Sequence, residues 1–494
     1  MDTLSTPTTV GELATILDDA VADHPEACAI ATETDHITYR ELGQRVAVLA
    51  ERLRETGVGP GRAVGVHVPR SPAAIIAIHA VIATGAVVAP LDVNDPSERV
   101  NALLDQAGIS HLLVRGGEPS SVDVGEGVAV RAREVRPSRL DSGYLLFTSG
   151  STGVPKGVLL SAEAVAHFAR WAARTAGLTA EDRVAAQAAL TFDLSTFDVF
   201  STAVAGATAV ILPDWLKPFP ADTVDWLAEQ RITTVYAVPT LMKGIVAAGA
   251  RSATLPTLTT IVFAGEPYPV AALADLLAAF PEARVLNWYG PTETNVCTAQ
   301  DVRQWRPGTP VPIGAAVDGV LVEIVDDEIV VAGPTLLTGY VVDGVVFDPA
   351  VDVVFDDGKC RRAYRTGDHA YRDDAGRLVL VGRVDRQIKR RGYRIDLSGI
   401  EAIAAEAGAT HGAAAVVTGS DQHLTLFVDV DAASTTTVLG AVEHALRDRL
   451  PTYSQPDRIV AHSPLPTNRR GKIDRPRLEE LAADILTNQQ ETHS

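Results

Sequence analysis

Cysteine is scarce: Cys28, Cys297 and Cys360 are the three in 494 residues. They are too few and too scattered for a disulfide framework or a thiolate zinc site. No apolar run approaches the length of a membrane span, and the opening "MDTLSTPTTVGELATIL" lacks the basic-then-apolar layout of a secretion signal. Positive charge is also short. Lys and Arg number 43 against 62 Asp and Glu, a net charge of −19. An acidic surface without a basic stripe disfavours nucleic acid and anionic membrane as partners. A reducing, cytoplasmic compartment is the expectation. There is no internal repeat, and the length exceeds what one hydrophobic core serves, so two or more domains are expected.

What is present is concentrated in "YLLFTSGSTGVPKG", residues 144–157. Leu145, Leu146 and Phe147 read as the end of a buried strand. The hydroxyls and glycines from Thr148 to Gly153 suit neither a core nor a helix, and their donors together with Lys156 make a phosphate cradle. It is not a Walker loop, because no G-x-x-x-x-G-K-[ST] occurs. A helix is expected next, capped by Ser161, with Val165, Phe168 and Ala172 on one face and a stop at Gly177. Between about 180 and 300, "TAVIL", "TTVYAV", "TTIVFAG" and "RVLNWYG" read as strands alternating with amphipathic helices. That pattern predicts an α/β fold with a parallel sheet and ligands at the carboxyl ends of its strands. After about 300 short strands dominate. A basic cluster, "GRVDRQIKRRGYRID" (382–396), then precedes a small α+β region.

"YGPTET" (289–294), "YRTGD" (364–368), the basic cluster and "RRGKIDR" (469–475) follow the loop in order. Together with "ITYREL", "ATGAVVAPLD", "FDLS" and "LPTY", the chain over about residues 10–480 resembles the adenylate-forming superfamily, specifically the amino-acid adenylation enzymes of nonribosomal peptide synthesis. The resemblance implies a large N-terminal domain of layered α/β subdomains, 1–384, and a mobile C-terminal α+β domain, 385–494, with its hinge at Asp385. It implies two half-reactions: a carboxylate attacks the α-phosphorus of ATP and releases pyrophosphate, then a thiol displaces AMP. Thr148, Ser149, Gly150, Ser151, Thr152, Gly153 and Lys156 match the loop that holds the β,γ-phosphates. Glu293 matches the Mg²⁺ carboxylate and Thr292 an α-phosphate hydroxyl. Tyr289 would stack on adenine, Asn287 would meet its amino edge, and Gly265 would let the backbone approach the ring. Asp368 and Arg383 would take the ribose. Lys472 matches the lysine that bridges the substrate carboxylate and the α-phosphate.

Asp193, in "TFDLSTFDVF", matches the partner of a substrate ammonium, which points to an amino acid. Leu194, Phe197, Tyr236, Val262, Ala264, Trp288, Val296 and Cys297 would line the side-chain pocket. With three large rings and no second charge, a small side chain is expected: alanine first, then glycine, serine and proline, with a small β-amino acid further off. "DLSGIE" (396–401) and the short stretch "VEIVDDEIVVAG" (322–333) depart from the usual pattern, the latter suggesting a trimmed hairpin. No carrier domain follows Lys472, so the expected partner is a separate carrier protein with a phosphopantetheine arm, steered by Lys389, Arg390, Arg391 and Arg394. The rival readings are an acyl- or aryl-CoA ligase of the same fold and a nucleotide-binding module without catalysis.

Overall fold

The strand–helix alternation between 180 and 300 folds as a parallel sheet. The computed structural model describes residues 11–117, 121–133, 140, 143–148, 155–383, 385–409, 413–419, 422–431, 434–468 and 473–492. Strands Arg183–Ala186, Thr208–Ile211, Thr234–Ala237, Thr260–Phe263 and Arg284–Tyr289 run parallel with Cys28–Ala31. The antiparallel strands His36–Thr38, Thr298–Asp301 and Ala315–Ala316 complete nine strands among the described residues. Side chains alternate between the two faces of such a sheet. Tyr236, Val262, Leu286 and Trp288 therefore join one apolar core, while Val235, Ala237, Ile261, Phe263 and Val285 join another.

A second nine-stranded sheet carries Ala63–His67, Val87–Pro90, His111–Arg115 and Gly143–Thr148 as parallel neighbours. The helix expected after the glycine-rich loop is Ala162–Ala176. The Ser161 side chain accepts from the Ala164 N–H at 3.1 Å, and Gly177 ends the helix at φ 72°, a left-handed cap that glycine adopts without strain. Arg70, just past the Ala63–His67 strand, donates to the carbonyls of Ala186 (2.7 Å) and Leu212 and to Asp214 (2.7 Å). One guanidinium thus reaches from the second sheet to the carboxyl ends of two strands of the first.

Antiparallel strands follow. Leu321–Val325 and Glu328–Ala332 form the shortened hairpin, with Val325 opposite Glu328. Only Asp326 and Asp327 connect them, at φ 54° and 65°, the left-handed pair that a two-residue hairpin of matching twist requires. Cys360–Arg372 pairs with Glu328–Ala332, Val351–Val354 and Leu378–Arg383.

The chain divides into two compact units: Met1–Val93, Leu104–Phe147 and Gly157–Val384 in one, and Asn94–Leu103, Thr148–Lys156 and Asp385–Ser494 in the other. The second contains the hairpin Gln387–Arg390/Tyr393–Asp396 and the sheet of Ala413–Thr418, His423–Val428 and Arg458–Ala461. Helices Leu397–Glu406, Thr435–Arg449 and Arg475–Thr492 accompany them. Asp396 of the unusual "DLSGIE" caps the first of these helices, accepting from Ser398 N–H at 2.9 Å.

One expectation from the basic cluster is corrected here. Arg390 is 1 % exposed and donates to the carbonyls of Gln422 (2.8 Å), Tyr453 (3.2 Å) and Gln455 (3.4 Å) and to the Asp457 carboxylate. A cation committed to that many internal acceptors cannot steer a partner; it ties the hairpin to the rest of its unit. Arg390→Ala should strip three carbonyls of this donor and cost about 2–4 kcal/mol. Arg391→Ala, at the exposed turn position next to it, should stay within about 0.5 kcal/mol of wild type. Urea unfolding of the full chain separates the two, and equal midpoints would remove Arg390 from the core.

Candidate active site

The segment that follows the Arg183–Ala186 strand carries Asp193. Its carbonyl accepts from the Thr196 N–H at 3.0 Å and the Thr196 hydroxyl at 2.6 Å, which fixes the turn. The chain then makes one π-helical turn, Phe197–Ser201, continuing as Thr202–Ala205. Such widened turns are frequent at functional sites. Across from it, the Thr292 hydroxyl donates to Asp193 Oδ2 at 2.8 Å.

Leu194, Phe197, Tyr236, Val262, Ala264, Trp288, Val296 and Cys297 are all buried and share one apolar cluster. Tyr236, whose register rests on a loop in the sequence, lies on its strand and meets Phe197 at 5.2 Å and Trp288 at 5.1 Å between ring centroids. Trp171, one helix turn past the expected Phe168, lies 4.8 Å from Trp288. Trp171, three residues after Phe168, shares the helical face of Phe168 and Ala172.

A second acid of the same motif is buried as well. Asp198, directly after Phe197, is buried, and its Oδ2 accepts from the Ala188 N–H at 3.2 Å. Burial pushes its carboxyl up to about 8, against the opposing pull of the Ala188 N–H, Arg70 and Lys217. The motif "TFDLSTFDVF" contains both acids, and only the three-dimensional path shows that the second turns inward.

The residues expected to meet nucleotide lie on strands or just past them. Gly265 follows Thr260–Phe263 with φ 90°, a conformation that favours glycine. Asn287 Nδ2 donates to the Pro312 carbonyl at 2.8 Å, so the Oδ1 end of its amide points the other way. Tyr289 ends its strand, and its hydroxyl donates to Asp368 Oδ2 at 2.6 Å. Arg383, opposite Asp368 in the antiparallel register, donates to Oδ1 at 2.7 Å. Burial first, and the Asp368 charge second, push the Tyr289 hydroxyl well up, so it remains a donor. A carboxylate has about four acceptor positions, and Asp368 can take further hydroxyls beside these two donors.

Glu293 is 1 % exposed. Its Oε1 accepts from the Tyr340 hydroxyl at 2.8 Å, and that hydroxyl lies 2.9 Å from the hydroxyl of Tyr364. Burial, with Glu293 adding to it, raises the Tyr340 phenol far above its ordinary value. Tyr340 and Tyr364 had no assigned role in the sequence, although Tyr364 opens "YRTGD". Among the described residues no cluster of three or more His, Cys, Asp or Glu could hold a metal. A lone hard carboxylate still fits Mg²⁺, which commonly binds through one or two carboxylates and the phosphates of its substrate. Thr148 ends one strand and Lys156 begins the next, both half-buried. Ser149, Gly150, Ser151, Thr152, Gly153 and Lys472 lie outside the described residues. Asp385 is exposed and its Oδ1 accepts from Gln387 N–H at 3.2 Å.

A family model described as "AMP-binding enzyme" matches residues 17–341. The L-proline–[L-prolyl-carrier protein] ligase of Streptomyces coelicolor is 34 % identical over 490 residues, covering 90 % of this chain and 92 % of its own. The ligase of the same name from Pseudomonas fluorescens is 31 % identical over 497 residues, covering 92 % of this chain and 96 % of its own. Among solved structures, the one titled IdnL1 superposes with a TM-score of 0.78 at 27 % identity, covering 93 % of this chain and 100 % of that one. No described helix is long and apolar enough to cross a membrane.

Asp198 gives a pH test. Between the ordinary carboxyl value of 3.8 and about 8, the folded protein holds a proton that the unfolded chain has released, so stability falls as pH rises through that window. Asp198→Asn has no such proton. Urea unfolding at pH 5 and pH 8 should show the wild type losing at least about 1 kcal/mol relative to Asp198→Asn. Parallel profiles would mean the carboxyl is ionised throughout.

Proposed function

Because the chain belongs to the AMP-binding enzyme family, we propose that it activates a small apolar amino acid as its aminoacyl adenylate and passes the acyl group to a carrier-protein thiol. The observation that carries this reading is Asp193, half-buried beside the aromatic cluster and hydrogen-bonded to Thr292. A carboxylate at the edge of an apolar cluster needs cationic or hydrogen-bonding partners, and a substrate ammonium is one. L-Proline is the first candidate, since both ligases compared above are named for it and the close-packed rings of Phe197, Tyr236 and Trp288 suit a compact apolar ring. Alanine is second, on the same small cluster.

In the first half-reaction a carboxylate oxygen of the amino acid bonds to the α-phosphorus, and the bond to the pyrophosphate oxygen breaks. Positioning and charge neutralisation dominate such transfers. Residues Thr148 to Gly153 and Lys156 would cradle the terminal phosphates and Thr292 the α-phosphate. Gly265, Asn287 and Tyr289 would hold adenine, and Asp368 with Arg383 the ribose. Glu293 would hold Mg²⁺, which neutralises phosphate charge when bound. Lys472 would stabilise charge on the carboxylate and α-phosphate. In the second half-reaction the thiol sulfur bonds to the acyl carbon, AMP leaves, and the thiol proton passes to solvent. Asp385 would be the hinge between 1–384 and 385–494, and Lys389, Arg391 and Arg394 would steer an acidic carrier.

ATP–pyrophosphate exchange with L-proline, L-alanine, glycine, propionate and cyclopentanecarboxylate tests the proposal. Proline-dependent exchange should lead, and exchange with none of the amino acids would overturn the reading. Asp193→Ala should lose about 2–5 kcal/mol in kcat/KM for the amino acid, with no more than background for the two acids that lack an amine. Unchanged discrimination between proline and cyclopentanecarboxylate would make Asp193 structural. Lys472→Ala should lose about 3–4 kcal/mol of transition-state stabilisation while nucleotide binding changes little. Exchange within a few-fold of wild type would remove the lysine from the reaction.

A further inference from the structure

Two residues assigned above to different substrates touch each other. Thr292 Oγ1, given to the α-phosphate, donates to Asp193 Oδ2, given to the ammonium, at 2.8 Å. Each is held by its own turn. Thr294 N–H donates to the Pro291 carbonyl at 2.9 Å and Asn295 N–H to that of Thr292 at 3.4 Å. Gly290 lets the loop fold back so closely that a Cβ there would meet the Asn295 carbonyl oxygen at 1.6 Å. On the other side, the Thr196 backbone and hydroxyl fix the Asp193 carbonyl. The contact is therefore a meeting of two hydrogen-bonded turns.

A hydroxyl carries one proton. It cannot be given at the same moment to the Asp193 carboxylate and to a phosphate oxygen. If nucleotide binds first and takes the proton, Asp193 loses this donor. If the amino acid binds first, its ammonium gives Asp193 further donors, and the Thr292 hydroxyl can then leave for a phosphate at smaller cost. With both bound, ammonium serves carboxylate and hydroxyl serves phosphate, so every donor is used. Nucleotide bound alone therefore takes from Asp193 a donor that the ammonium replaces when both are bound.

We propose that the Thr292 hydroxyl couples the two substrate sites, so that each substrate tightens the binding of the other. The inference rests on the function proposed above and adds to it a binding cooperativity carried by one proton. Such coupling is reciprocal by linkage. It would keep ATP from settling productively in the absence of the amino acid.

The test is calorimetric titration of α,β-methylene-ATP, whose bridging carbon blocks cleavage, with and without saturating L-proline. L-Alanine and propionate replace proline and cyclopentanecarboxylate if exchange ranks alanine first. In the wild type the amino acid should tighten the analogue by about fivefold or more, within the usual range of site-to-site coupling, whereas cyclopentanecarboxylate should not. Thr292→Ser, which keeps the proton, should retain the effect. Thr292→Val, similar in shape without it, should reduce the effect to less than about twofold. Thermal melting shows whether the variants are folded. Should Thr292→Val fail to fold, the comparison of amine with amine-free acid in the wild type, and of wild type with Thr292→Ser, still decides. Equal tightening by proline and cyclopentanecarboxylate, no tightening in the wild type, or undiminished tightening in Thr292→Val would overturn the coupling. If no amino acid supports exchange, it is the proposed function that fails; if exchange runs and the coupling is absent, only this inference does.

Discussion

The large unit depends on Arg70. Apolar side chains between two nine-stranded sheets do not by themselves fix angle or offset sharply, and polar contacts do. The guanidinium leaves one sheet and donates to three partners at the carboxyl ends of the other, the carbonyls of Ala186 and Leu212 and the Asp214 carboxylate. Its planar fork sets direction as well as distance. The stretch that begins one residue past Ala186 leads straight to Asp193 and the π-helical turn. The position of the candidate ammonium partner is thus set from the neighbouring sheet and not by its own loop alone.

The acids of the site share one construction. Asp193 accepts from Thr292, Glu293 from Tyr340 and Asp368 from Tyr289. Each carboxylate is aimed by a hydroxyl, and a neutral donor costs less electrostatic commitment than a full cation would. A carboxylate held by a hydroxyl keeps most of its charge available for a cation or another hydroxyl. Asp368 has Arg383 as well, at the place where neutral sugar hydroxyls are the proposed ligand.

Much of this was legible in the sequence. The strands at 208–212, 233–238, 259–265 and 284–290 were readable because β-branched and aromatic runs alternate with amphipathic helices. The helix at 162–176 carried both its cap and its stop. The hairpin at 326–327 was foreseen from a shortened stretch. The rest required the path of the chain. Asp198 reads as one acid among several until the π-helical turn buries it. Arg390 reads as part of a charged surface because sequence spacing does not reveal that three carbonyls from other segments converge on it. Tyr340 and Arg70 act over separations of 47 and 116–144 residues, beyond any local pattern.

The two faces of the parallel sheet have a consequence for descent. Tyr236, Val262 and Trp288 share one core because of their parity along their strands, and Ala237, Ile261 and Val285, at odd separations from them, feed the opposite core. A single inserted or deleted residue within any of these strands would exchange the two sets and spoil pocket and core together. A replacement at one of these positions can therefore reshape the candidate pocket and spare the opposite core, while a change of length is tolerated only in the connections between strands.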